Sequence, residues 1–127
     1  TLIAEKLQAM IALGMANSRM KDYYDIYVLS KTFSFNGHDL VAAIDATFKR
    51  RGTPIPSDIP LALSDEFATN RDKVSQWKGF ISRSGLGGLD ADLAQIVAVL
   101  RDFLLGPLQA AASGHPFRHK WTDSHWD

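Results

Sequence analysis

The sequence predicts an all-α protein, a compact bundle of about five to six helices with one proline-rich connector. Three observations carry that prediction. Apolar residues recur at three- and four-residue spacing in segment after segment, the period of a helix with one buried face. No segment alternates apolar and polar residues over a strand's length between turn signals, and no internal repeat is visible. Pro54, Pro56 and Pro60 fall within one short stretch, which must be extended because proline lacks an amide proton and restrains the residue before it.

The first helix is expected over residues 2–15, where Leu2, Ile3, Leu7, Met10, Ile11 and Gly14 share a face. The polar break Asn17-Ser18-Arg19 ends it, and Ser18 is the expected cap of a second helix from about Met20 to Thr32. The two helices should form a hairpin. Phe33-Ser34-Phe35-Asn36-Gly37 reads as a turn with two aromatic anchors. A third helix follows, striped by Leu40, Val41, Ile44 and Phe48 and closed at Arg50-Arg51-Gly52, with basic residues where the helix dipole favours them. Beyond the connector, Ser64 before Asp65-Glu66 signals a short helix to about Thr69, and Asn70 caps another from Arg71 to Ser84. Gly85-Leu86-Gly87-Gly88 follows no strand and so reads as a turn and not a dinucleotide loop. Asp90 is the expected cap of the last helix, which carries Leu93, Ile96, Val97, Leu100, Phe103, Leu104 and Leu108 to about Ala112, with Pro107 a kink or a boundary. Residues 1–112 are thus the helical region and 113–127 a polar tail containing histidine and tryptophan.

A chain of 127 residues fits one core, and its 46% apolar and 22% charged content is ordinary for a globular protein. Fourteen basic and fourteen acidic side chains cancel, so no global field attracts nucleic acid. The absence of cysteine excludes a disulfide framework and thiolate metal sites. Apolar runs are short of the roughly 20 residues a bilayer requires, and residues 1–6 lack the form of a signal peptide, which makes the cytoplasm the expected location. Opening inside a periodic pattern, Thr1 reads as a cut end of a larger protein.

Three charged residues stand out against the apolar pattern. At about 100° per residue, Lys6 falls inside the apolar arc of the first helix. Asp22 and Asp25, three apart, lie about 60° from each other on the side of Leu29 in a helix that is apolar or aromatic almost all round. Charges buried alone cost several kcal/mol, so Lys6 and the aspartates are expected to meet across the hairpin. Such a cluster is either a structural ion pair or a site that binds metal or phosphate or removes a proton. Arg19, Lys21, Arg50 and Arg51 add basic charge in the adjoining loops. His115, His119 and His125 with Asp123 lack metal-ligand spacing, Pro116 interrupting the one pair at helical separation, and they read as a loose tail.

Three strings in the chain belong together: Ile3-Ala4-Glu5-Lys6-Leu7-Gln8-Ala9-Met10, Ala16-Asn17-Ser18-Arg19-Met20-Lys21-Asp22-Tyr23-Tyr24-Asp25-Ile26, and Thr47-Phe48-Lys49-Arg50-Arg51-Gly52-Thr53-Pro54-Ile55-Pro56. With the Gln76-Trp77-Lys78-Gly79-Phe80 helix, they resemble the C-terminal part of the AbiEii/AbiGii nucleotidyl transferase toxins, from Thr1 to about Leu108. The first string is short and common, and the pattern R-x-K-D-x-x-D followed by R-R-G-T-P-x-P is specific. The resemblance implies an α/β core upstream of Thr1 whose Gly-Ser motif and acidic pair hold Mg²⁺ and a nucleoside triphosphate. It maps the family's lysine onto Lys6 and its aspartate onto Asp22, with Asp25 in the same turn. Lys6, Asp22 and Asp25 then become the expected catalytic residues, Lys6 holding the triphosphate and Asp22 orienting it or acting as base, and Lys6, Arg19 and Lys21 the expected triphosphate contacts. The resemblance further implies a toxin of a toxin–antitoxin or abortive-infection system, an antitoxin partner, and transfer RNA as an acceptor for some members. A fragment without its core should expose apolar surface around Lys6, to be hidden by homodimerisation or by the tryptophan-bearing tail. The rival expectation is a non-catalytic helical module in which Lys6 and the aspartates only hold the fold together.

Overall fold

The computed structural model describes residues 2–127, so the reading of Thr1 as a cut end lies outside the described residues. Among the described residues there are six α-helices: α1 (Leu2–Leu13), α2 (Met20–Thr32), α3 (Gly37–Arg50), α4 (Asp65–Thr69), α5 (Arg71–Arg83) and α6 (Leu93–Ser113). Three short strands, β1 (Phe35–Asn36), β2 (Lys120–Thr122) and β3 (His125–Trp126), form one small antiparallel sheet that the periodicity did not announce.

Local chemistry sets the boundaries. Ser64 caps α4 by accepting from the Phe67 amide at 3.2 Å, and Asn70 caps α5 by accepting from the amides of Asp72 and Lys73. α6 starts later than Asp90: Asp92 accepts from the Gln95 amide at 2.9 Å while the Gln95 side chain accepts from the Asp92 amide at 2.8 Å, a reciprocal capping box. Asp92 wins because Leu93, the next residue, is already in the core. Ser18 does not cap α2. The carboxamide of Asn17 accepts from the Arg19 amide at 2.9 Å and turns the chain there instead.

α6 is the central element, with α2, α3 and α4 packed around it. Its Leu100, Phe103, Leu104 and Leu108 meet Ile26 of α2, Ile44 and Phe48 of α3 and Phe67 of α4 in one core, which continues to Leu7 and Met10 of α1. By length and composition α6 is long and apolar enough to cross a membrane. Here that apolarity lines the core, and Arg101 on the same helix bonds the Leu63 carbonyl and Asp65.

Pro107 neither ends α6 nor marks its boundary. Proline offers no amide to the carbonyl four residues before it, so the carbonyl of Phe103 is left without its helical donor. The indole of Trp126 donates to that carbonyl at 3.0 Å and restores the bond from outside the helix.

The tail is folded and not loose. Trp121 pairs with Phe35 on one side and Trp126 on the other, is 1% exposed, and donates its indole N–H to the Ser30 carbonyl at 2.7 Å. Asp123 and Ser124, with φ of 50° and 66°, make the tight turn between β2 and β3. Phe117 fits over two glycines: a Cβ at Gly37 would lie 2.5 Å from its ring, and one at Gly106 3.1 Å. This places the tail on α6 and the start of α3, away from α1, where Leu2 and Leu13 stay exposed.

Candidate functional site

Lys6 is held by its neighbours in α1. Glu5, one residue before it, accepts from both Arg50 and Arg51 at the end of α3, the latter at 2.7 Å. Gln8, two residues after it, donates to Thr53 Oγ1 at 2.9 Å. The Arg50-Arg51-Gly52-Thr53 string thus grips α1 on both sides of the lysine, and its two arginines are engaged with Glu5.

The lysine side chain is 15% exposed and reaches across the hairpin to α2, where its Nζ lies 3.0 Å from Asp22 Oδ1 and 3.1 Å from Asp25 Oδ2. Asp22 is 4% exposed and Asp25 23%. Arg19 Nε stands 3.5 Å from the second oxygen of Asp22, and Lys21 Nζ 2.7 Å from Asp25. Lys6, Arg19, Lys21, Asp22 and Asp25 therefore form one alternating charge network. Burial opposes the charge on Lys6, but its bonds to Asp22 and Asp25 prevail and hold its pKa above the ordinary 10.5. Burial likewise works against the Asp25 carboxylate, and the hydrogen bonds from Lys21 and Lys6 bring its pKa below the ordinary 3.8.

Two residues of α5 that sequence reasoning passed over complete the surroundings. Lys73 is buried, donates to the Asn17 carbonyl at 2.6 Å and to Gln76 at 3.2 Å, and lies over the ring of Phe67. It ties α5 to the turn that delivers Arg19. Arg83, at the end of α5, lines with Phe80 a depression of about 310 Å³ whose other walls include Lys6, Arg19, Lys21 and Asp22. It lies three residues past the Gln76–Phe80 string on the same helix, outside the string itself, and so gave no signal. Tyr23, next to Asp22, is anchored in the core: its hydroxyl donates to the Ala62 carbonyl at 2.7 Å, its ring stacks on Phe67, and burial with the nearby Asp22 charge pushes its pKa strongly up.

A larger groove, about 950 Å³, lies elsewhere, between α3 and the end of α6 with the tail. It is lined by alanines and by His38, His115 and Arg118, and its one ion pair is the surface contact of Lys49 with Asp45 one turn away on α3. Size favours that groove, whereas buried and mutually dependent charge favours the Lys6 depression, and charge is what binding of ionic ligands or acid–base chemistry requires. Among the described residues no three histidines or carboxylates converge as a metal site. Arg50 and Arg51 stand outside the depression, as do the tail histidines, of which His119 bonds to Asp127 and His125 to the Asp123 carbonyl.

The depression is lined by four cations, Lys6, Arg19, Lys21 and Arg83, against the single carboxylate of Asp22, an arrangement that suits a polyanion. No curated protein and no solved structure matches the chain. The family model of the nucleotidyl transferase AbiEii toxins, of type IV toxin–antitoxin systems, matches residues 1–99, a span that includes α1 to α5, every residue of the charge network and the first turns of α6. With that match over more than half its length, the chain belongs to the AbiEii nucleotidyl transferase toxin family.

Proposed function

We propose that this chain is the helical part of a nucleotidyltransferase toxin, that Lys6 holds the triphosphate of a nucleotide, and that Asp22 orients the lysine for it. The observation supporting this reading is the bridging of two aspartates by one inward lysine at the edge of a cation-lined depression. An ammonium has three donors, and two are committed to Asp22 and Asp25, which fixes the direction of the third. Arg19 and Lys21, each paired to one of the same aspartates, stand ready to share the charge of a phosphate chain. Nucleotidyl transfer depends chiefly on positioning and charge neutralisation, and a lysine locked by its neighbours supplies both without reorganising. Mg²⁺ and a nucleoside triphosphate, when bound, supply the electrophilic phosphorus; Asp22 and Asp25 already face cations, so the ion's ligands belong to residues other than these. An antitoxin is the partner this reading requires, and transfer RNA the acceptor that the family resemblance offers.

Calorimetric titration of each nucleoside triphosphate with Mg²⁺ tests the proposal. Lys6→Ala should weaken binding at least tenfold, about 1.4 kcal/mol. Equal affinity in the variant and the parent would overturn the role of Lys6. The rival reading, a helical docking module, draws on the exposed Leu2 and Leu13 of α1. It predicts that no triphosphate binds and that an antitoxin binds equally well after Lys6→Ala.

A further inference from the structure

We propose that Arg83 is a further phosphate-binding residue of this site, acting with Arg19 as a pair of guanidinium groups that grips a pyrophosphate unit. The inference deepens the nucleotide reading above and rests on it for the identity of the natural ligand.

Within the network Lys6 and Lys21 are satisfied by Asp22 and Asp25 at 2.7 to 3.1 Å. Arg19 approaches Asp22 through Nε at 3.5 Å, and among the described residues its guanidinium has no other carboxylate partner. Among the described residues Arg83 has no carboxylate partner at all. Two guanidinium groups with free donors, one at the N-cap of α2 and one at the end of α5, therefore face one depression whose other walls are Lys6, Ser18, Met20, Lys21, Asp22 and Phe80. Guanidinium is the side chain whose planar fork matches two phosphate oxygens at once. At about 310 Å³ the depression lies at the small end of ligand sites, suited to a phosphate chain and not to a whole nucleotide.

Gly79 is an independent sign. It sits inside α5 with no positive φ, so the backbone does not need a glycine there, and glycine weakens a helix interior. A Cβ at this position would lie 2.9 Å from Arg83 Nη1, the tip of a flexible side chain. The missing methyl is the space in which the guanidinium of Arg83 rests, one turn back along its own helix and beside Phe80. Removing that space would leave the fold intact and displace the group.

Isothermal titration of inorganic pyrophosphate into the chain tests the pair. Arg83→Ala should weaken binding about tenfold, Arg83→Lys by less, and Lys78→Ala, which removes the same charge from another face of α5, should leave it unchanged. Gly79→Ala should weaken binding several-fold while raising the thermal midpoint, two effects of opposite sign that a merely structural role for Arg83 would not produce. Failure of the parent chain to bind pyrophosphate, equal losses in Arg83→Ala and Lys78→Ala, or unchanged affinity in Arg83→Ala would each overturn the inference. If affinity survives Arg83→Ala but is lost in Lys6→Ala, the role of Arg83 falls and the nucleotide reading stands; if the parent binds neither pyrophosphate nor any nucleoside triphosphate, both fall.

Discussion

Replacing Lys6 with methionine keeps most of the apolar stem that packs in α1 and removes only the ammonium, so it isolates what the charge contributes. Asp22, 4% exposed, would then keep a single cation, Arg19, at 3.5 Å, and Asp25 would keep Lys21. Removing one partner of a fully buried ion pair costs about 3–5 kcal/mol, and the two surviving contacts, together with partial exposure of Asp25, bring the expected loss to about 2 kcal/mol. An unfolding entropy of ~2.1 cal/mol/K per residue makes that a fall of about 7 °C in the midpoint of a chain this long. Urea unfolding followed by circular dichroism reads the change, with an unaltered slope expected because the surface exposed on unfolding is the same. Adding Asp22→Asn should cost less than the sum of the two single changes by about 1 kcal/mol or more, since the carboxylate stranded by the first change is gone in the second. A loss below about 0.5 kcal/mol for Lys6→Met would refute the claim that this charge is structurally coupled to Asp22.

The pH dependence follows from the directions of the shifts. Asp25 has a lowered pKa, so its contribution is complete above its ordinary 3.8 and disappears as pH falls through the lower folded value. Lys6 and Tyr23 have raised values, so their contributions hold below about pH 10 and are lost as pH rises. Stability measured by urea titration should accordingly form a plateau bounded by an acid and an alkaline limb, and an alkaline limb unchanged in Tyr23→Phe would contradict the assignment to that group. Lys73→Met should leave the Asn17 carbonyl buried without its donor and cost about 1–3 kcal/mol, read by thermal unfolding. Gly37→Ala places a methyl against both the Phe117 ring and the His119 carbonyl, 2.6 Å away, and should cost about 1–3 kcal/mol with faster amide exchange confined to the tail strands.

The helices were legible because their apolar spacing and caps are local. Ser64, Asn70 and the Met20–Thr32 limits of α2 needed nothing beyond a few neighbouring residues. The approach of Lys6 to Asp22 and Asp25 was also legible, since a lysine and two carboxylates on apolar faces joined by a short turn have few other ways to avoid isolated burial. Lys73 and Arg83 were not, because each looks like an ordinary polar-face residue until α5 is set beside the Asn17 turn. The tail failed for a related reason. Its strands are two or three residues long, its turn is Asp-Ser without glycine, and its partners Gly37 and Gly106 lie far away in sequence. That Pro107 lies inside α6 and marks no boundary was hidden in the same way, as the donor that restores the bond comes from nineteen residues further on.

That repair has a kinetic consequence. Because the carbonyl of Phe103 receives its bond from Trp126, the second half of α6 is finished only when the β2–β3 hairpin docks, and the hairpin in turn needs β1 in place as a template. Docking of this kind belongs after the rate-limiting collapse of α2, α3 and α6, so the tail's contacts should be absent from the transition state. Trp126→Phe should then leave the refolding rate nearly unchanged and speed unfolding, by about tenfold for each 1.4 kcal/mol lost. The hairpin would thus act as a latch that sets how long the folded molecule persists, with little influence on how fast it forms.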